Sequence, residues 1–150
     1  MKVLVDTNVL LDVLAERKGF YPEAMRIWTM AESGRVDACV AAISFSSCYY
    51  IVRRYAGRPA AERAVRLLRD IFKPVDLTAQ VLNQAIDSGF SDFEDAVQFH
   101  SAVHADVQCI ITRNPGHFPR SPLTVMSPAE FLASQSRSEE EERRARGIRA

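Results

Sequence analysis

Three places in the sequence set carboxylates or amides where chemistry could occur. Asp6 closes the apolar run Val3-Leu4-Val5, Asp92 and Asp95 stand three residues apart, and Thr112-Arg113-Asn114 follows the run from Val107 to Ile111. Residues three apart share a helix face, so Asp92 and Asp95 point the same way in a first helical turn. Two carboxylates ~4 Å apart repel by about 4 kcal/mol at an effective dielectric near 20. A fold keeps such a group when a cation fills it or when its carboxyls hold their protons more tightly. Hard oxygen ligands favour Mg²⁺ or Mn²⁺ over zinc. The reaction such a site serves best is phosphodiester hydrolysis.

Each of these residues also has a plainer reading. Asp6 can simply cap the helix that follows it, and Asp92 can favour the dipole of its own helix. Ser91-Asp92-Phe93-Glu94 has the form of a capping box, which assigns Glu94 to the cap rather than to a ligand. Asp95 adjoins the apolar stripe of Phe93, Ala96, Val97, His100 and Val103, so its burial requires compensation. His100, inside that stripe, reads as a core histidine, and Asn114 before Pro115-Gly116 is equally good turn chemistry.

The elements that must position these residues follow from apolar periodicity. A strand at Val3–Val5 leads into a helix capped by Thr7 or Asn8 and reaching about Glu16. A second helix, Tyr21 to Ser33, stops at Gly34, and a strand follows at Ala38–Val40. Helices are expected from about Ser44 to Ala56 and from Ala60 to Phe72, with a brief strand or linker at Pro74–Asp76. Thr78 caps a helix to Asp87, and another runs from the capping box to about His104. Val107–Thr112 and Thr124–Val125 read as strands, and Ser127-Pro128 opens a small helix to Ala133. Strands alternating with helices predict an α/β fold in three layers, with a mostly parallel sheet of four to five short strands. Ligands of such sheets bind at the carboxyl ends of the strands, where Asp6 and Thr112 fall.

One domain over residues 1–133 is expected, with a charged, disordered or marginally helical tail over 134–150. The 150 residues carry no net charge, so no global field draws the chain to nucleic acid or membrane. The local charge is uneven. Arg53, Arg54, Arg58, Arg63, Arg66, Arg69 and Lys73 form a basic stretch, whereas Pro74 to His100 contains acids and no Lys or Arg. A basic side of this kind can meet a polyanion, although a solvated helix face explains any single arginine. Cys39, Cys48 and Cys109 lie far apart among apolar neighbours and read as core residues of a reducing compartment. No run is long enough to span a membrane, and the opening residues do not form a secretory signal. A cytoplasmic protein is expected.

Val3-Leu4-Val5-Asp6-Thr7-Asn8-Val9-Leu10-Leu11-Asp12 resembles the opening of PIN domains, the family of VapC-type toxin ribonucleases. Asp92-Phe93-Glu94-Asp95-Ala96-Val97-Gln98 resembles that family's acidic helix, and Ile110-Ile111-Thr112-Arg113-Asn114-Pro115-Gly116-His117-Phe118 the strand and turn beyond it. Ala42-Ile43-Ser44 with Tyr49-Tyr50-Ile51 fits the family's segment after the second strand. The resemblance implies a Mg²⁺- or Mn²⁺-dependent ribonuclease acting on single-stranded RNA, with an antitoxin protein as partner and homodimerisation, for which the apolar helices near Tyr49, Tyr50 and Ile51 could supply a surface. On the family pattern Asp6 is the first acid and Asp95 the third. The second falls at Ser47 and the fourth at Asn114 or His117, none of which is an acid. Asp92 can compensate, giving a trio of Asp6, Asp92 and Asp95 with Asn8, Ser44, Ser47, Thr112, Asn114 and His117 around it. Arg53, Arg54, Arg58 and Arg113 would then hold RNA phosphates.

Two other readings stand beside the nuclease. A PIN-like fold that binds RNA or protein without cutting accounts for the missing glutamate. A haloacid-dehalogenase-like phosphatase also begins with an aspartate after its first strand, but it needs an Asp-x-Asp pattern and a downstream lysine. Here Asn8 takes the second position, and Lys73 is the last lysine in the chain.

Overall fold

In a computed structural model, which describes residues 1–120 and 122–147, β1 (Lys2–Val5) leads into α1 (Thr7–Leu14) and α2 (Tyr21–Glu32). Strand β2 (Asp37–Ala41) leads into α3 (Ala42–Ala56) and α4 (Arg58–Ile71), and β3 (Lys73–Val75) into α5 (Ala79–Asp87) and α6 (Phe93–His104). Strand β4 (Cys109–Ile111), a 3₁₀ turn (Pro115–His117), β5 (Thr124–Met126) and α7 (Pro128–Ala145) follow. The five strands form one wholly parallel sheet in the order β3-β2-β1-β4-β5. Pro74 lacks an N–H to donate, and it sits where that is tolerated, in the edge strand β3.

Alternation along the strands divides the core into two. Val3, Val5, Ala38, Val40, Cys109 and Ile111 face helices that contribute Leu10, Trp28, Val52, Leu68 and Phe131. Leu4, Cys39, Ala41 and Ile110 face the other way, onto Phe99 and Ala102 of α6. The expected three-layer sandwich results, with α1–α4 and α7 on one face and α6, backed by α5, on the other. Trp28 and Phe72 close the first layer edge to face, with centroids 5.2 Å apart. Gly57, at φ +88°, makes the turn between α3 and α4, a conformation that disfavours any side chain. All three cysteines are buried free thiols, and burial pushes Cys48 up to about 12 and Cys109 to about 11.

Of the caps open for α1, Asp6 rather than Thr7 or Asn8 makes it, and the start of α6 differs from the sequence expectation, with Asp92 rather than Ser91 as its cap. In both cases the first acid available is the cap, and the helix begins one residue beyond it. The last helix differs in length. It continues past Ala133 to Ala145, through the segment for which a disordered or marginally helical tail is expected. The Ser/Gln/Glu/Arg run has adequate helix propensity without an apolar stripe. Arg35 of the α2–β2 turn also pairs with Glu139. Residues 148–150 of the expected tail lie outside the described residues. Among the described residues, no helix is long and apolar enough to cross a membrane.

Candidate metal centre

The sheet order places the site. Connections leave β1 toward β2 on one side, while β4 returns on the other, so a crevice opens where β1 and β4 end side by side. Asp6 and Thr112 are the first residues beyond those strands. Asp6 N–H still pairs with Ile111 O at 3.0 Å, and Thr112 N–H with Met126 O at 2.9 Å, so the ladder holds both rigidly.

Asp6 is 4 % exposed. Its Oδ1 accepts Thr7 N–H and its Oδ2 accepts the Thr112 hydroxyl, each at 2.8 Å. Burial nevertheless pushes its carboxyl up to about 6; the two hydrogen bonds oppose this, and the carboxylates of Asp95 and Glu94 add to it. Asp95 also holds its proton more tightly than usual, first through burial and then through Asp92, with His117 acting against both. The imidazole Nδ1 of His117 lies 3.4 Å from Asp95 Oδ2.

These acids line a crevice of about 210 Å³ that gathers Asp6, Asp92, Glu94 and Asp95 beside Thr7 and Asn8, with Leu11 and Ile51 at its apolar wall. A cleft of about 260 Å³ between α2 and α7 is larger, but it holds Arg26, Arg35 and Glu139 and no comparable set of acids. Four carboxylates in one crevice are the donor chemistry of a hard divalent cation. Among the described residues, however, no three such side chains already converge on one point. Each acid is engaged separately, Asp6 by Thr112, Glu94 by Thr7, Asp95 by His117, and Asp92 by the cap it makes to Asp95 N–H at 2.9 Å.

Of the supporting residues expected from sequence, Ser44 is fully buried and bonded to Thr7 at 2.8 Å, and Thr112 holds Asp6. Asn8 Oδ1 accepts Arg113 N–H at 3.3 Å, a structural task with no part for the acid a phosphatase would need there. Asn114 is exposed, and its N–H is held by the Thr112 hydroxyl at 3.2 Å. Ser47 lies on α3 between Ser44 and the crevice residue Ile51, at helical spacing.

Arg113 does not present itself to solvent as a phosphate ligand would. Its Nε lies 3.1 Å from Asp12 Oδ2 and its guanidinium 4.2 Å from the Phe20 ring centre. Arg53 and Arg54 remain exposed at the end of α3, Arg54 one turn beyond Ile51, whereas Arg58 pairs with Glu62 at 2.9 Å.

Sequence reasoning missed two parts of the site. The capping-box reading gives Glu94 a place in the cap, but with Asp92 as the cap Glu94 lies on the crevice side of the first turn. Gln98, one turn further on, is fully buried and donates to both Ser44 Oγ (2.8 Å) and Thr7 Oγ1 (3.2 Å). The signal for both was present in Glu94-x-x-x-Gln98, two polar residues spaced to share a helix face.

A profile of the PIN domain matches residues 2–115. The chain belongs to the PIN-domain family. Solved structures similar to this PIN domain include the Mycobacterium tuberculosis toxin VapC20, described as cleaving the sarcin-ricin loop (TM-score 0.60, 18 % identity, covering 72 % of this chain and 86 % of that one). VapBC-1 of nontypeable Haemophilus influenzae aligns with TM-score 0.64 at 15 % identity, covering 86 % and 99 % of the two chains. A toxin–antitoxin complex from Klebsiella pneumoniae aligns at 0.63 and 18 %, covering 84 % and 97 %. At these identities the likeness establishes the fold. No curated protein matches the sequence.

Proposed function

We propose that this PIN domain is a divalent-metal-dependent ribonuclease of the toxin type, acting on single-stranded RNA in the cytoplasm and restrained by an antitoxin protein. The observation that carries this reading is the buried Asp6 at the β1/β4 crevice, facing Asp95 with its carboxyl pushed up to about 6. A carboxyl so placed is ready to exchange its proton for a cation.

In this reading Asp6 and Asp95 hold Mg²⁺ or Mn²⁺, and Asp92 assists at the exposed rim. A bound ion of this kind supplies Lewis-acid activation of water and neutralises charge that develops on the phosphodiester. Thr112 and the Thr7 N–H fix the direction of the Asp6 carboxylate. Arg53 and Arg54 offer phosphate contacts that do not depend on base sequence. Tyr50, 61 % exposed on α3, and the half-buried Ile51 offer a surface to a second copy or to an antitoxin. Solved neighbours that are toxin–antitoxin complexes support the antitoxin as partner.

Mn²⁺-dependent cleavage of a labelled single-stranded RNA, lost with EDTA and with Asp6→Asn or Asp95→Asn, is the expected outcome. A second reading, a PIN domain that binds RNA or protein without cutting, is favoured by Ser47 and His117 at positions where the family carries acids. Folded protein that binds RNA but leaves it intact at millimolar Mn²⁺ would establish that reading instead.

A further inference from the structure

The α3 helix brings no carboxylate to the crevice. Ser44, Ser47 and Ile51 share one stripe of it at helical spacing, Ile51 lines the crevice, and nothing acidic lies between Ala38 and Ala61. The same end of the fold nevertheless buries an expensive set of polar side chains. Thr7, Ser44 and Gln98 are 7 %, 0 % and 0 % exposed and bond to one another. A buried polar network is conserved energetically only when each donor finds an acceptor.

The hydrogens of this network can be traced. Gln98 Nε2 has two, and it donates to Ser44 Oγ and Thr7 Oγ1. Thr7 has one, and it is given to Glu94 Oε1 at 2.8 Å. The 2.8 Å contact between the two hydroxyls must then carry the hydrogen of Ser44, donated to Thr7. Every donor therefore points along one path, from Gln98 through Ser44 and Thr7 to Glu94. Gln98 Oε1 is left buried without a partner, so the amide serves only as the donor at the head of that path. The path ends on a carboxylate oxygen in the crevice that also holds Asp6 and Asp95.

We infer that Glu94 is a metal ligand of this chain, supplying from α6 the carboxylate that α3 lacks at Ser47, and that Thr7, Ser44 and Gln98 are its positioning residues. The inference rests on the metal-dependent reading above. Outer residues that orient a ligand typically affect metal affinity about 10–100-fold. The reassignment also gives Thr7 a reason to be a hydroxyl residue directly after Asp6. It places the first acid and the cap of α1 beside the donor that holds the second acid.

The test is Mn²⁺ binding by the full chain, read from the electron paramagnetic resonance signal of free Mn²⁺, with thermal unfolding as a check on folding. Glu94→Gln keeps an acceptor for Thr7 but removes the charge, which separates ligand from architecture. It is expected to weaken Mn²⁺ binding roughly tenfold or more while melting like the wild type. Thr7→Val, near-isosteric, is expected to weaken binding by about tenfold with Glu94 intact. Adding Ser47→Glu to Glu94→Gln is expected to restore binding, because it puts a carboxylate on the stripe of α3 that holds Ile51.

Wild-type binding by Glu94→Gln, alongside lost binding in Asp6→Asn, would overturn the Glu94 assignment and leave the metal reading standing. No binding by the wild type would overturn both. A double variant that recovers nothing would overturn the claim that Glu94 stands in for the α3 position.

Discussion

Asp6 precedes α1 and Asp12 lies in its last turns; both are buried, at 4 % and 0 % exposure, and the fold treats them in opposite ways. Asp12 receives cations from the chain itself. Arg113 Nε lies 3.1 Å from one of its oxygens and Arg17 Nη1 3.7 Å from the other. Asp6 receives hydroxyl and amide donors, and among the described residues no arginine or lysine pairs with it. The helix dipole alone would suggest the reverse, since it stabilises a negative charge at the N-terminus and opposes one near the C-terminus. Asp12 is thus a charge that the chain's own arginines offset in part. Asp6 has no cation of the chain beside it among the described residues, and the proposed metal site rests on that difference.

The largest effect should come from breaking the pair between Asp12 and Arg113. The Arg113–Asp12 contact is close, but the N–H is not aimed along a hydrogen bond, so its strength is that of opposite charges in a poorly hydrated place. Burial holds the Asp12 carboxyl above the usual range, and Arg113 and then Arg17 act against that rise. Removing one partner of a fully buried pair costs roughly 3–5 kcal/mol. The Arg113 side chain retains 25 % exposure, so Arg113→Ala is expected to cost about 2–4 kcal/mol in urea unfolding. Arg113→Met with Asp12→Leu should cost much less than the sum of the single changes. Equal, additive losses would show that the two charges are not coupled and would remove one side of the comparison.

That pair was illegible in the sequence for a physical reason. Asp12 and Arg113 are distant along the chain, and Arg113 at a strand end reads from sequence as a phosphate contact and not as the partner of a helix aspartate. What brings them together is the adjacency of β1 and β4, a tertiary fact. The sheet and its helices were legible because buried parallel strands leave apolar runs and amphipathic helices leave stripes. Asp6 and Asp95 were legible because they follow such runs at a strand end or interrupt such a stripe. Glu94 was not, because a shift of the cap from Ser91 to Asp92 turns the first helical turn by one residue and changes which acid faces inward. The sequence left the continuation of α7 to Ala145 open between disorder and marginal helix, because periodicity can detect only a helix with something to bury.

The next effect tests the other aspartate through pH. Asp6 binds its proton more tightly folded than unfolded, near 6 against an ordinary 3.8. Below both values the two states are equally protonated. Between them the folded state holds more protons, so metal-free stability falls as pH rises through about 6. The loss is on the order of 3 kcal/mol. Asp95 and Asp12 are shifted the same way, chiefly by burial, and His100 is shifted down by burial and opposes them. The groups facing Asp6 are Asp95 and Glu94 from α6, the Thr112 hydroxyl and the Thr7 N–H. Asp6→Asn keeps an acceptor for that N–H and removes the titration. Compared with wild type in EDTA, it should match closely near pH 4 and be more stable at pH 7. A wild-type-to-variant difference that stays constant with pH would contradict the description of Asp6 as an unbalanced charge.

The smallest effect concerns what holds Arg113 in place. Its guanidinium lies over the Phe20 ring at 4.2 Å, and the ring itself is 45 % exposed. A cation–π contact at such a site contributes about 0.5–1 kcal/mol, well below a charge pair removed from water. Phe20→Leu is therefore expected to cost about 1 kcal/mol or less, and to leave the coupling between Arg113 and Asp12 unchanged when both are also substituted. The consequence reaches the crevice, because Arg113 N–H also holds Asn8 and directly follows Thr112, the residue that orients Asp6. If Phe20→Leu instead abolished the coupling, the ring would be what positions Arg113. Asp12 would then be offset only by way of an exposed aromatic residue, and the contrast between an acid with arginines of the chain beside it and one without would lose its sharp edge.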